Sequence, residues 1–151
     1  MANIVGIDLG TTFSVIAKLD DIGRPEVINV DGSNITPSVV EFTSSNTFDV
    51  GKEAKKALED GISSNIAQEV KRFMGSKEKT YEFFDQKHTP TSISALILKK
   101  LKESLEDVYG EIDSAVVTVP ANFANEAREA TQQAADMAGL NVSHIINEPT
   151  A

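Results

Sequence analysis

Cysteine and tryptophan are absent from this 151-residue chain, and histidine occurs only twice. Without a thiol there can be no disulfide, no thiolate metal site and no cysteine nucleophile, although the redox compartment cannot be read from that absence. His88 and His144 are too isolated to serve as metal ligands. Basic residues are also scarce, with 14 Lys and Arg against 23 Asp and Glu and a formal net charge of −9. An acidic chain with no basic block is a poor partner for duplex nucleic acid or an anionic membrane surface. No apolar run approaches the ~18 residues of a membrane span. The N-terminus enters a strand pattern almost at once, with no signal-type basic and apolar segment. The expectation is therefore no nucleic acid, no membrane and a cytoplasmic location. The length suits one domain, which buries about two thirds of the unfolded chain's surface.

What is present centres on one stretch, Ile4-Val5-Gly6-Ile7-Asp8-Leu9-Gly10-Thr11-Thr12-Phe13-Ser14-Val15-Ile16. Runs of Val and Ile flank Gly10-Thr11-Thr12, which reads as strand, tight turn, strand. Gly10 permits a positive φ and close approach of backbone to a ligand. Turn N–H groups with the Thr11 and Thr12 hydroxyls form a set of donors suited to phosphate oxygens. Asp8 would be repelled by bare polyphosphate and fits only if a hydrated Mg²⁺ lies between them. A polar hairpin turn is the plain alternative. No Gly-Lys-Ser/Thr follows, so this is not a Walker loop.

Further along, Glu26 to Val30 reads as a strand, followed by turn residues Asp31-Gly32-Ser33-Asn34. Val39 to Phe42 and Thr47 to Val50 complete a first third built from hairpins, with antiparallel pairing expected. Lys52 to Glu59 is a polar helix. Ile66, Ala67, Val70, Phe73 and Met74 fall on one side of a second expected helix. Lys71 lies at the border of that face, either to snorkel or to project its ammonium into a cleft. Residues 75–88 lack a clean period and predict a loop pinned by Tyr81, Phe83 and Phe84. A long helix follows, with Thr91 as N-cap and Ile93, Leu96, Ile97, Leu101, Leu105 and Val108 as its apolar face up to Gly110. Ser114 to Val119 predicts a strand buried on both faces. A helix from Asn125 to Ala138, capped by Gly139, and a strand from Val142 to Ile146 complete a βαβ unit with parallel strands. Asn147-Glu148-Pro149-Thr150-Ala151 reads as the opening of another helix, as if the chain were a piece of a longer protein.

Three separated segments resemble one family, the DnaK-type seventy-kilodalton heat-shock chaperones. Ile7 to Ser14 resembles its first phosphate loop, and Val70-Lys71-Arg72-Phe73-Met74-Gly75 resembles the segment that carries its catalytic lysine. The most specific match is Val119-Pro120-Ala121-Asn122-Phe123, with Arg128 and Ala130-Thr131 beyond it, leading to Ile145-Ile146-Asn147-Glu148-Pro149-Thr150-Ala151. The resemblance implies an α/β fold of the actin-like ATPase and ribonuclease H-like type, a mixed sheet flanked by helices. Residues 1–151 would be the incomplete first lobe of the nucleotide-binding domain, with a shortened subdomain around 51–110. The second lobe and the peptide-binding domain would lie elsewhere.

The resemblance also implies roles. Gly10, Thr11, Thr12 and Phe13 would line the β- and γ-phosphates of ATP or ADP. Asp8 would reach Mg²⁺ through water, as would Glu148. Lys71 would place its charge on the γ-phosphate and the attacking water. Pro120 and Arg128 match positions that relay nucleotide state to the peptide-binding domain. The implied function is an ATP-dependent chaperone, with extended peptide clients and a J-domain co-chaperone as partners. Departures are Phe13, where relatives more often carry Asn or Tyr, and Asn122 in place of an aromatic. The stretch from Gly75 to Thr91 is also short, as in bacterial paralogues of the HscC kind, which bears on recognition by the usual nucleotide exchange factor. Two alternatives are a sugar-kinase-like phosphotransferase of the same superfamily and a nucleotide-independent interaction module.

Overall fold

The computed structural model describes residues 3–120 and 122–147. The chain begins with strands β1 (Ile4–Leu9) and β2 (Phe13–Leu19), then three short strands, β3 (Pro25–Val27), β4 (Thr36–Pro37) and β5 (Val39–Phe42). Strand β6 (Phe48–Val50), helix α1 (Lys52–Asp60) and strand β7 (Ile66–Gln68) come next, followed by one 3₁₀ turn at Val70–Phe73. A small hairpin, β8 (Tyr81–Phe83) and β9 (Gln86–His88), precedes the long helix α2 (Pro90–Tyr109). Strand β10 (Ser114–Val119), helix α3 (Asn125–Met137) and strand β11 (Val142–Asn147) close the described chain.

The main sheet has the order β11-β10-β1-β2-β3, and β4 also pairs with β2. Strands β11, β10 and β1 are parallel, while β2 runs antiparallel to β1, β3 and β4. The expected mixed sheet with flanking helices is the architecture found. The parallel βαβ unit is present, and the antiparallel hairpins of the first third are too.

Period-two alternation decides which side of the sheet is core. Val5, Ile7 and Leu9 on β1 and Ala115, Val117 and Val119 on β10 are buried, and they face α2 and α3. Helix α2 supplies Ile93, Ile97, Leu98, Leu101 and Leu105, all at most 2% exposed. Each such side chain contributes on the order of 1.5–3 kcal/mol through removal from water. Strand β10 is therefore buried on one face only, because both long helices lie on the same side. Its other face, carrying Val116 and Thr118, borders an open apolar concavity of about 600 Å³ with Gly6, Asp8, Val15 and Ile146 among its lining residues.

Several local expectations are corrected. The N-cap of α2 is Thr89, not Thr91: its side chain accepts from the Ser92 N–H while Ser92 Oγ accepts from the Thr89 N–H, and Pro90 fills the first helical position. Val108 is 65% exposed and lies off the core face. Strand β3 stops at Val27, and Val30 makes only an isolated bridge to Ser33. No second helix covers 66–74. Ile66–Gln68 instead pairs with β5, and Glu69 then turns the chain at φ 53° into the 3₁₀ turn. A five-residue apolar pattern is too short to nucleate a helix against an available strand edge.

The expected loop at 75–88 contains the hairpin. Its two-residue turn is Phe84-Asp85, both at positive φ, a conformation in which Asn-Gly or Asp-Gly is the usual signal. Phe84 is 43% exposed and pins nothing. Phe83 is buried and stacks on Phe42 with ring centroids 5.0 Å apart.

Candidate functional site

Three parallel strands end at the same edge of the sheet, and in open α/β sheets that carboxyl edge is where ligands bind. Asp8 stands one residue before the end of β1, aligned with Thr118 on β10 and, through it, with Ile146 on β11. Its carboxylate accepts from Thr118 Oγ1 at 3.4 Å, and the residue is solvent-exposed.

The turn from Gly10 to Phe13 follows directly. Gly10 is required there for a reason other than the expected positive φ, since it is not among the positive-φ glycines. A Cβ at Gly10 would lie 2.1 Å from the Phe13 carbonyl oxygen, so the turn closes only on a glycine. From the other side, the buried Ser38 donates through Oγ to the Gly10 carbonyl and through its N–H to the Thr12 carbonyl, both at 2.9 Å. Phe13 is 40% exposed, and it pairs with Pro37 of β4.

The Lys71 segment reaches the same edge. A polar hollow of about 190 Å³ is lined by Thr11, Thr12 and Ser38 from the turn side and by Gln68 and Glu69 from the end of β7. Two residues beyond Glu69, the Lys71 ammonium sits 5.7 Å from the centre of the Phe123 ring, within cation–π range. Phe123 in turn donates its N–H to the Pro120 carbonyl at 3.0 Å, just past the end of β10. Asp8, Thr118, Pro120, Phe123 and Lys71 thus follow one another along a rim at this edge, with the 10–13 turn adjoining it at Asp8.

Packing against both long helices holds Lys71 there. Met74 joins Ala127, Ala130 and Phe123 in a second small core and accepts from Ser94 Oγ on α2 at 3.3 Å. Gly75, at φ 87°, lies so close to α3 that a Cβ would come within 2.8 Å of the Ala127 nitrogen. Arg128, on the first turns of α3, donates to the Asn147 side chain at the end of β11. Asp8 and Pro120 thus stand at the ends of neighbouring strands β1 and β10, Lys71 reaches Pro120 by way of Phe123, the turn residues Gly10, Thr11, Thr12 and Phe13 follow Asp8, and Arg128 lies on α3. Glu148 lies outside the described residues. It follows Asn147, whose partner Val119 ends β10.

Reading the residues alone overlooked Ser38 and gave Phe123 no role. The signal for Ser38 was slight: a serine just after Pro37 and just before an apolar strand run, which is also common turn chemistry. Among the described residues no cluster of three or more His, Cys, Asp or Glu could hold a metal by itself. No described helix is long and apolar enough to cross a membrane.

The sequence matches the family model described as Hsp70 protein, over residues 4–84 and 78–151. It is 50% identical to the chaperone protein DnaK of Thermotoga neapolitana over 150 residues, which is 98% of this chain and 25% of that protein. The DnaK proteins of Thermotoga petrophila and Thermotoga maritima are each 49% identical over the same shares. The chain spans about a quarter of the length of these curated relatives.

Proposed function

Because this chain belongs to the Hsp70 family, we propose that it is the first lobe of an actin-like nucleotide-binding domain, in a protein that hydrolyses Mg-ATP to control peptide binding and release. The observation that carries this reading is the rim just described. A glycine-dependent turn with its neighbouring carboxylate, and an ammonium from a stretch about sixty residues further on, lie along the carboxyl edge of the parallel strands. A sugar kinase would need a further carboxylate base facing a hydroxyl. Among the described residues the carboxylates here are Asp8, assigned to the metal in this reading, and Glu69 beside the hollow, which is paired with Arg72 at 3.3 Å.

In this reading the turn amides and the Thr11 and Thr12 hydroxyls hold the β- and γ-phosphates of ATP or ADP. Asp8 and Glu148 orient the water shell of Mg²⁺, which when bound supplies charge neutralisation and a template for in-line attack. Lys71 provides a fixed positive charge beside the γ-phosphate, where charge develops and little reorganisation is needed. Its cation–π contact with Phe123 fixes the direction of a flexible side chain. Pro120 and Arg128 sit where a shift of the rim would pass into α3 and β11, which suits relay to a peptide-binding domain. Extended peptide clients and a J-domain co-chaperone are the partners, and the cytoplasm is the location. The short hairpin at 81–88 alters the surface that a nucleotide exchange factor would meet.

The adenine pocket and second phosphate loop belong to the other lobe in this family. Residues 1–151 alone should therefore bind ATP weakly and not turn it over. Calorimetry of the isolated chain beside the full-length protein checks this. Mg-ATP should lower the full-length protein's peptide affinity, and an affinity indifferent to Mg-ATP would sink the switch.

A further inference from the structure

The Ser14 hydroxyl, the Ser38 hydroxyl and the Gly10 carbonyl form a hydrogen-bonded chain whose direction can be read. We propose that Ser38 is the positioning residue that aims the amides of this turn at phosphate, a role that rests on the nucleotide reading above.

Ser38 is 4% exposed and Ser14 is fully buried. The Ser38 hydroxyl has one proton, and its geometry assigns that proton to the Gly10 carbonyl at 2.9 Å. Ser14 Oγ, 2.8 Å away, must then donate to Ser38 rather than accept from it. The Ser38 N–H takes the Thr12 carbonyl at 2.9 Å. One residue thus holds two carbonyls of the turn, and a second buried hydroxyl polarises the first.

The consequence follows from peptide geometry. No cis bond is present among the described residues, and in a planar trans peptide the N–H points opposite to the C=O. With the Gly10 and Thr12 carbonyls drawn back onto Ser38, the N–H groups of Thr11 and Phe13 are turned away from it. Those are alternate amides of one tight turn, spaced to meet neighbouring oxygens of a polyphosphate. The Phe13 side chain adds no donor, so its backbone N–H is what that position contributes. Gly10 complements the clamp, since any Cβ there would push the Phe13 carbonyl away and undo the same geometry.

Ser38→Ala leaves the Gly10 carbonyl and the Ser14 hydroxyl without their partner and frees the first peptide of the turn to rotate. In the full-length protein we expect Mg-ATP and Mg-ADP affinities to fall about tenfold, the value of one such bond. Adenosine affinity should stay within about twofold, because adenosine carries no phosphate. Ser38→Thr keeps the hydroxyl and should restore most of the loss. Unchanged ATP and ADP affinity in Ser38→Ala would overturn the assignment. So would an equal loss for adenosine, which marks general damage to the fold rather than to the phosphate contacts. If the unaltered protein binds no Mg-ATP at all, the nucleotide reading fails first and Ser38's role with it.

Discussion

The 10–13 turn and the 69–75 segment each present a polar group at one sheet edge, but their rigidity has different sources. The turn is held by its neighbours in the sheet: β1 and β2 pair immediately before and after it, and β4 leads into Ser38 behind it. The Lys71 segment has almost no regular structure. Its four-residue 3₁₀ turn is fixed by Glu69 at φ 53°, Gly75 at φ 87°, and Met74 wedged between α2 and α3. A turn inside a sheet is as rigid as the sheet. A segment held by distant helices is only as rigid as their packing, and so is easier to move when a ligand or a second lobe pushes on it.

The sharpest way to separate the two is Lys71→Ala in the full-length protein. Losing the fixed charge should cut hydrolysis by about a hundredfold or more, the scale of losing one preorganised electrostatic group. Nucleotide affinity should stay within a fewfold, because the turn remains intact. Single-turnover rates with calorimetric binding check this, and normal turnover would remove Lys71 from the mechanism.

Next in size is Gly75→Ala. A Cβ 2.8 Å from the backbone of α3, on a residue at φ 87°, requires the segment or the helix to shift. A cost of at least about 2 kcal/mol is expected from the strain alone. For a domain of this size that lowers the melting midpoint by about 4–8 °C. Amide exchange should quicken at 70–76 and the start of α3 but not at 10–14. Uniform quickening would mean that the two regions share one source of rigidity.

The smallest effect concerns acid. Burial among Phe42 and Phe83 holds His88 below its usual value, and its Nε2 has no hydrogen-bond partner among the described residues. The folded state then binds that proton less readily than the unfolded chain does. Stability is full above the unfolded value of about 6.5 and is lost as pH falls below it toward the lower folded value. Lys79 links this hairpin to the Lys71 segment, lying 4.7 Å from the Phe73 ring and 4.9 Å from the Tyr81 ring. Acid should therefore loosen 69–75 before the turn. Thermal midpoints at pH 7 and pH 5 should differ less in His88→Phe, and an unchanged difference would clear His88 of the effect.

Strands β1, β2, β10 and β11 and helices α2 and α3 were legible because their patterns are long and local: alternation, helical spacing and terminal glycines. The turn itself was legible too, although at Gly10 a steric closure with Phe13 stands in place of the expected positive φ. The Ile66–Met74 stretch misled because five apolar residues fit a short helix and a strand-plus-turn equally well. The 81–88 hairpin escaped notice because Phe-Asp carries no turn signal, and an aromatic cluster against β5 stabilises it instead. Ser38 was invisible because a hydrogen bond over 28 positions leaves no period in a sequence.

By itself, the order of residues determined the long strands of the main sheet, the helices that cover it and the family to which the chain belongs. Each depends on forces acting within a few turns or strand residues. Tertiary structure alone decided that Lys71 lies beside Phe123 and that both long helices cover one face. It also decided that two buried serines hold the first turn from behind. Those arrangements come from which apolar surfaces and hydroxyls meet when distant segments close on one core, and short-range propensity carries no record of that meeting.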